Sequence, residues 1–71
     1  MSFTEKLRLL RKERGLTQAD VGAEVGLSTR GYQDIELGSM PRYNTLLRLA
    51  EFYDVSLDWL ADRTEKREIN R

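Results

Sequence analysis

The chain has 71 residues, which is enough for one hydrophobic core and leaves too little for a second. Charged residues make up 34% of it and no uncharged stretch exceeds five positions, so we expect neither a membrane span nor a signal peptide. Cysteine and histidine are absent, which excludes disulfides, zinc ribbons, thiol nucleophiles and the commonest general base. The sequence therefore predicts one cytoplasmic domain that is not an enzyme and holds no metal or cofactor.

The charge balance does not by itself favour a nucleic-acid partner. Twelve positive side chains balance twelve negative ones, with a net charge of +2 over residues 1–48 and −2 over the remainder. A domain that binds nucleic acid is usually basic, and a difference this small is also what a solvated surface would give.

Start and stop signals along the chain predict five short helices and no strand. Serine or threonine marks a start because its side chain accepts a hydrogen bond from a free N–H, and glycine marks a stop because it tolerates a left-handed conformation. The start signals are Ser2, Thr17, Ser28 and Ser56, and the stop signals are Gly15, Gly26 and Gly38. The predicted helices cover residues 3–14, 18–25, 29–37 and 43–53, and a fifth carries Leu57, Leu60 and Ala61.

Apolar residues recur at helical spacing within these segments and predict the core. They include Phe3, Leu7, Leu10, Val21, Val25, Leu27, Tyr32, Ile35, Tyr43, Leu46, Leu47, Ala50, Tyr53, Leu57 and Leu60. From Arg63 to Arg71 only Ile69 is apolar, so we expect a frayed helix or a disordered tail there. The sequence thus predicts an all-α domain over residues 1–62 and a charged tail over residues 63–71.

The second and third predicted helices are joined by only three residues, Gly26 to Ser28. Two helices this short need a sharp turn between them, which is helix-turn-helix geometry. This geometry also accounts for Gly22, which otherwise costs about 1 kcal/mol relative to alanine in mid-helix. A glycine there lets the third helix cross close over the second.

The segment from Gln18 to Leu37 resembles the helix-turn-helix of the phage repressor and Cro family, the xenobiotic-response-element regulators. The matching features are Thr17-Gln18, Gly22, Gly26, apolar Val21, Val25, Leu27, Tyr32 and Ile35, and Glu36-Leu37-Gly38. The first helix and the last two look similar too, so the resemblance spans about residues 4–62. It implies a compact five-helix repressor-like fold and a transcriptional regulator, most simply a repressor, whose third helix reads double-stranded DNA in the major groove.

Helical geometry indicates which side chains of the third helix face away from the core. At 100° per residue, the outer side carries Arg30, Gln33, Asp34 and Leu37, with Thr29 on the flank nearest the helix start. Arg30 can pair with guanine and Gln33 with adenine, while Thr29 or Leu37 can contact a thymine methyl. Asp34 can accept from a cytosine amine or pair with Arg30 four residues earlier. A merely solvated polar face is the alternative for all five.

Phosphate contacts are expected where helices begin, because free N–H groups and partial positive charge lie there. The resemblance implies that Gln18 clasps a phosphate with its amide, with Ser28 at the start of the third helix. Arg42 is similar to a family arginine near the DNA backbone or minor groove, although a surface role without a partner is also open for it.

Arg11 lies at the edge of the buried stripe of the first helix and Glu36 on the shoulder of the third, so we predict that they pair. The resemblance implies the same partly buried ion pair, with the role of orienting the third helix.

One short recognition helix reads only about 4–5 base pairs, so we expect a homodimer on an approximate palindrome. The resemblance places the contact where Val55, Leu57 and Trp59 offer apolar surface. The alternative is a monomer in which Leu57 and Trp59 are internal.

A second function remains open from the sequence. The same fold would serve a protein-interaction module, such as a helix-turn-helix antitoxin. Its binding surface would be the acidic run formed by Glu51, Asp54, Asp58 and Asp62.

Overall fold

Residues 1–69, which the computed structural model describes, form five α-helices joined by short turns. The helices are α1 (Phe3–Glu13), α2 (Gln18–Glu24), α3 (Thr29–Glu36), α4 (Tyr43–Tyr53) and α5 (Leu57–Leu60). The prediction of an all-α, five-helix fold is confirmed, and no strand occurs between residues 1 and 69. The first three helices end one residue earlier than predicted, because Arg14, Val25 and Leu37 form their C-caps. None of the five helices is long and apolar enough to cross a membrane.

Four of the five helices begin with a hydroxyl cap, as the start signals predict. The capping side chains are Ser2, Thr17, Ser28 and Ser56, each accepting from a backbone N–H at 3.0–3.3 Å. Thr17 completes a capping box, because the Asp20 carboxylate accepts from the Thr17 N–H at 2.9 Å. At the start of α1 the Glu5 carboxylate accepts from the Ser2 hydroxyl at 3.0 Å. These caps fix where each helix starts.

The core draws side chains from every helix. Its buried members are Leu7, Leu10, Val21, Val25, Tyr32, Ile35, Leu49, Ala50, Tyr53, Val55, Trp59 and Leu60. Tyr43 was predicted to be buried, and this prediction is wrong because 65% of the residue is exposed. Tyr43 is the first residue of α4, and the buried stripe of that helix begins a turn later, with the partly buried Leu46.

The close crossing of α2 and α3 explains the glycine within α2. A Cβ built on Gly22 would lie 3.2 Å from the carbonyl oxygens of both Leu27 and Ser28 and 3.4 Å from the Cβ of Tyr32. The Leu27 N–H in turn donates to the Gly22 carbonyl at 2.8 Å. The turn therefore packs directly on the backbone of α2, as the sequence predicts.

Cationic side chains of α1 and its C-cap bind the C-terminal ends of three other helices. Lys6 donates to the Trp59 carbonyl at 2.7 Å, Arg8 to that of Glu36 at 2.6 Å, and Arg14 to that of Phe52 at 2.9 Å. The carbonyl end of a helix carries partial negative charge, which favours a cation there. No spacing in the sequence predicts these contacts, because they join residues that are far apart along the chain.

The segment after α5 folds back onto the domain. The Ser56 N–H donates to the Arg67 carbonyl at 2.8 Å, and the Arg67 guanidinium contacts the Glu13 carboxylate at 2.6 Å. The alternative of a frayed helix is wrong for residues 63–69, because none of them is helical, and the alternative of a disordered tail stays a prediction. The last two residues of the predicted tail, 70–71, lie outside the described residues.

We expect Gly22→Ala to lower the free energy of unfolding by about 1 kcal/mol. The added methyl meets two backbone carbonyls, and such overpacking costs about 1–3 kcal/mol, more than the gain of about 1 kcal/mol in helix propensity. Urea denaturation measures the change. Ala23→Gly, on the exposed side of the same helix, is the control, because there the exchange of alanine and glycine changes helix propensity without changing the packing. A Gly22→Ala protein more stable than the parent would contradict the role of close packing at this position.

Candidate nucleic-acid interface

The outer side of α3 is a polar surface open to solvent. Thr29 and Arg30 are exposed, Gln33 and Asp34 are partly buried, and Leu37, the C-cap, is 81% exposed. The opposite side of the helix supplies the buried side chains. The structure thus brings all five residues proposed for base contacts onto the accessible part of α3.

Arg30 and Asp34 pair across one turn of α3. The Arg30 Nε lies 3.2 Å from Asp34 Oδ1, and the two side chains are 83% and 47% exposed. A pair this exposed contributes at most about 1 kcal/mol to stability. Only the Nε is engaged with Asp34, so the two terminal nitrogens of the guanidinium can donate to a ligand.

The three residues proposed for phosphate contacts occupy starts of helices. Gln18 is the first residue of α2, Ser28 is the N-cap of α3, and Arg42 is the exposed N-cap of α4. The Ser28 hydroxyl accepts from the Gly31 N–H at 3.0 Å, which leaves its own proton available. The α4 start has no side-chain cap bond.

The Glu36 carboxylate joins α1, α2 and α3. Glu36 is 2% exposed and accepts from Arg11 through Nε at 2.8 Å and through Nη2 at 3.1 Å. The amide nitrogen of Gln18 donates to the same carboxylate at 3.2 Å. The structure therefore brings together Arg11 and Glu36, the residues predicted to pair. It also brings Gln18 to the Glu36 carboxylate, a contact that no spacing in the sequence predicts.

Opposing effects act on the ionisation of Glu36. Burial has the largest single effect and would raise the pKa of this carboxyl, but Arg11, Tyr32 and Gln18 together outweigh burial and lower the pKa below its usual value. Burial also raises the pKa of the Tyr53 hydroxyl to about 12. Glu36 is therefore a buried anion at neutral pH, and Arg11 supplies the opposite charge it requires.

The region proposed for dimer contact is more buried than expected. Val55 is only 4% exposed and Trp59 only 7%, whereas Leu57 is partly exposed. The expectation that Val55 and Trp59 offer apolar surface is therefore wrong. Trp59 is covered by the cations of Lys6, 4.8 Å from its ring, and Arg67, 5.6 Å from it. The dimer contact itself stays a prediction.

Comparison with known families decides what kind of domain carries this surface. The sequence profile of a helix-turn-helix family matches residues 7–60. The chain belongs to this helix-turn-helix family. Its matched region runs from within α1 to the end of α5, so it contains α2 to α5 whole and the larger part of α1.

Individual relatives and a solved structure agree with the family assignment. The chain is 41% identical over 59 residues to the HTH-type transcriptional regulator YqaE of Bacillus subtilis, covering 82% of this chain and 51% of YqaE. It is 36% identical over 64 residues to the phage CTXphi transcriptional repressor RstR of Vibrio cholerae, covering 89% of this chain and 58% of RstR. The chain thus spans about half the length of these curated relatives.

The fold also matches the P22 c2 repressor protein, solved in complex with a synthetic operator. The TM-score is 0.83 at 28% identity, over 90% of this chain and 98% of that one. The helix-turn-helix domain therefore has the same arrangement of helices as a known repressor.

We expect Glu36→Gln to lower the free energy of unfolding at pH 7 by about 3 kcal/mol, because it leaves the Arg11 guanidinium without its carboxylate. The folded-state pKa of Glu36 is depressed, so its stabilisation is present above the unfolded pKa and is lost as the pH falls through the folded pKa. The stability difference between parent and variant should therefore shrink in acid.

Urea denaturation of both proteins at pH 7 and pH 3 measures this difference. Glu24→Gln, at an exposed position of α2, is the control and should change stability by less than about 0.5 kcal/mol at either pH. An equal gap between parent and Glu36→Gln at both pH values would rule out the carboxylate as its source.

Proposed function

We propose that this protein is a transcriptional regulator that binds double-stranded DNA in a sequence-specific manner and acts as a repressor by occupying an operator. The observation that carries the proposal is the exposed polar side of α3, presented by a helix-turn-helix whose fold matches a repressor solved on operator DNA. The proposed activity is the binding of double-stranded DNA in the cytoplasm, and it requires no cofactor.

Base reading is assigned to α3 in the major groove. The two terminal nitrogens of Arg30 match guanine O6 and N7, and the Asp34 carboxylate, which accepts from the Arg30 Nε, favours one orientation of the guanidinium plane. Gln33 suits adenine, and the exposed Leu37 and Thr29 suit thymine methyl groups. In this arrangement Asp34 acts through Arg30 rather than on a cytosine.

Phosphate contacts are assigned to Gln18, Ser28 and Arg42. The Gln18 amide nitrogen carries two hydrogens, of which one serves Glu36 and the other is free for a phosphate oxygen. Glu36 therefore holds Gln18 at a defined position relative to α3. Such contacts fix the register of the protein on DNA without reading the sequence.

The reading role of Arg30 predicts a loss confined to one base pair. Arg30→Ala should weaken operator binding by about 1–3 kcal/mol and relax the preference at one position of each half-site. Gln18→Ala should weaken binding to all sequences about equally, since it removes a phosphate contact.

Selection from random duplexes with each purified variant measures both effects. Lys12→Ala removes one positive charge at an exposed site of α1, outside the helix-turn-helix, and should leave the selected sequence unchanged. An Arg30→Ala protein with unaltered preference at every position would remove Arg30 from the reading role.

The size of the domain predicts two copies on one operator. We expect sedimentation on a selected duplex to show two protomers, and the selected sequences to be approximate palindromes with half-site centres about 10 base pairs apart. A two-fold contact near Leu57 would place the two α3 helices about one turn of DNA apart. One protomer on an asymmetric site would exclude this arrangement.

A protein-binding function is the second candidate, and one observation favours it. Glu51 and Asp58 flank a groove of about 400 Å³ between α4 and α5, with an apolar floor that includes Leu47 and Leu57. Asp62 does not join them, because it pairs with Lys6 at 2.9 Å. Two measurements separate the two functions. Retention of the protein on a DNA column that falls as salt is added supports DNA binding, whereas capture of a protein partner supports the second candidate.

A further inference from the structure

Arg8 is a cation of α1 that reaches the C-terminal end of α3 and remains partly exposed there. Its Nη2 donates to the Glu36 carbonyl at 2.6 Å, and 43% of its side chain is exposed. The bond to the carbonyl uses one of the five N–H donors of the guanidinium. The remaining donors can therefore bind an acceptor outside the domain.

The Glu36 carboxylate does not neutralise Arg8. Its two oxygens accept from Arg11 at 2.8 and 3.1 Å, whereas the 3.9 Å between Arg8 Nε and Glu36 Oε1 is too long for a hydrogen bond. Glu5, three residues before Arg8 on α1, accepts from the Ser2 hydroxyl at 3.0 Å. Two guanidinium groups thus share one buried carboxylate. Because the side chain of Arg11 is only 16% exposed, the excess positive charge is accessible at Arg8.

The Glu36 carboxylate also brings Arg8 close to Gln18. The Gln18 Nε2 donates to Glu36 Oε1 at 3.2 Å, and this is the same oxygen that lies 3.9 Å from Arg8 Nε. Donors from α1 and α2 therefore meet at one end of α3, where the exposed Leu37 directly follows Glu36. An arginine and an amide side by side are donors of the kind that bind DNA phosphates.

The geometry points to a contact between Arg8 and the phosphate backbone of DNA, next to the phosphate contact of Gln18. This inference rests on the proposed function, which places Gln18 on a phosphate and α3 in the major groove. The planar guanidinium of arginine suits phosphate oxygens because several of its donors lie in one plane. Arg8 then binds the end of α3 with one nitrogen and DNA with the others, so a single side chain connects the recognition helix to the backbone.

Three other cations of α1 and its C-cap are less suited to this contact. Lys6 is 3% exposed and donates to a carbonyl of α5. Arg11 is held by both oxygens of Glu36. Arg14 lies 5.3 Å from the centre of the Phe52 ring and binds the end of α4. Of these cations and Arg8, Arg8 is the one that combines exposure with a position beside Gln18.

The salt dependence of DNA binding tests the contact, because every phosphate that a protein neutralises releases counterions. Fluorescence anisotropy of a labelled duplex measures the affinity of the full chain from about 50 to 200 mM salt. Arg8→Gln should reduce the slope of log affinity against log salt by about 0.9, equally on a selected operator and on a random duplex. The fourfold rise in salt should therefore weaken Arg8→Gln about 3.5-fold less than the parent. Arg8→Lys keeps the charge and should keep the parent slope.

Arg63→Gln is the matched control, because it removes the same charge on the opposite side of α1. Lys6 and Arg8 are about 200° apart around that helix, and Lys6 binds Asp62, the residue before the exposed Arg63. Arg63→Gln should therefore keep the parent slope.

The slope separates a phosphate contact from a merely structural role of Arg8. A structural role would weaken binding without changing the number of phosphates neutralised, so Arg8→Gln with the parent slope overturns the contact, whatever its loss of affinity. Equal reductions of the slope in Arg8→Gln and Arg63→Gln overturn it as well. In both cases the parent still binds DNA and the proposed function stands, whereas a parent that binds no duplex overturns the proposed function and the contact together.

Discussion

One buried carboxylate determines how the helix-turn-helix is held. Glu36, the last residue of α3, receives Arg11 from α1 and Gln18 from α2. A buried anion without its hydrogen bonds is costly, so these three helices have one arrangement in which the carboxylate is satisfied. That arrangement leaves the outer side of α3 exposed and holds Gln18 beside it, which connects the internal ion pair to the proposed DNA contacts.

The internal use of cations also explains why the composition is uninformative about the partner. Lys6, Arg8 and Arg14 bind helix carbonyls, and Arg11 neutralises Glu36. These four side chains are engaged within the fold, and Lys6 among them is buried. Under the proposed function, cations engaged in this way leave fewer for phosphates, so base contacts supply more of the affinity for DNA.

The acidic and apolar residues of the last two helices are distributed over several contacts. Asp62 pairs with Lys6, and the ring of Trp59 contacts two cations. Glu51 and Asp58 line a groove that Ile69 of the same chain also lines. An acidic run in the sequence is therefore not one surface in the fold. Contacts within the chain also bury Val55 and Trp59, which were expected at a dimer contact.

The sequence by itself determined the five helices, their hydroxyl caps, the close turn at Gly22 and the residues on the outer side of α3. Each of these depends on spacing within one helix or one turn, which is local and periodic. Tertiary structure alone decided that Gln18 joins Glu36, that Lys6 is buried beneath α5, that Tyr43 is exposed, and that residues 63–69 fold back onto Glu13. These outcomes depend on contacts between residues that are distant in the sequence, and the spacing of residues within one helix does not predict such contacts.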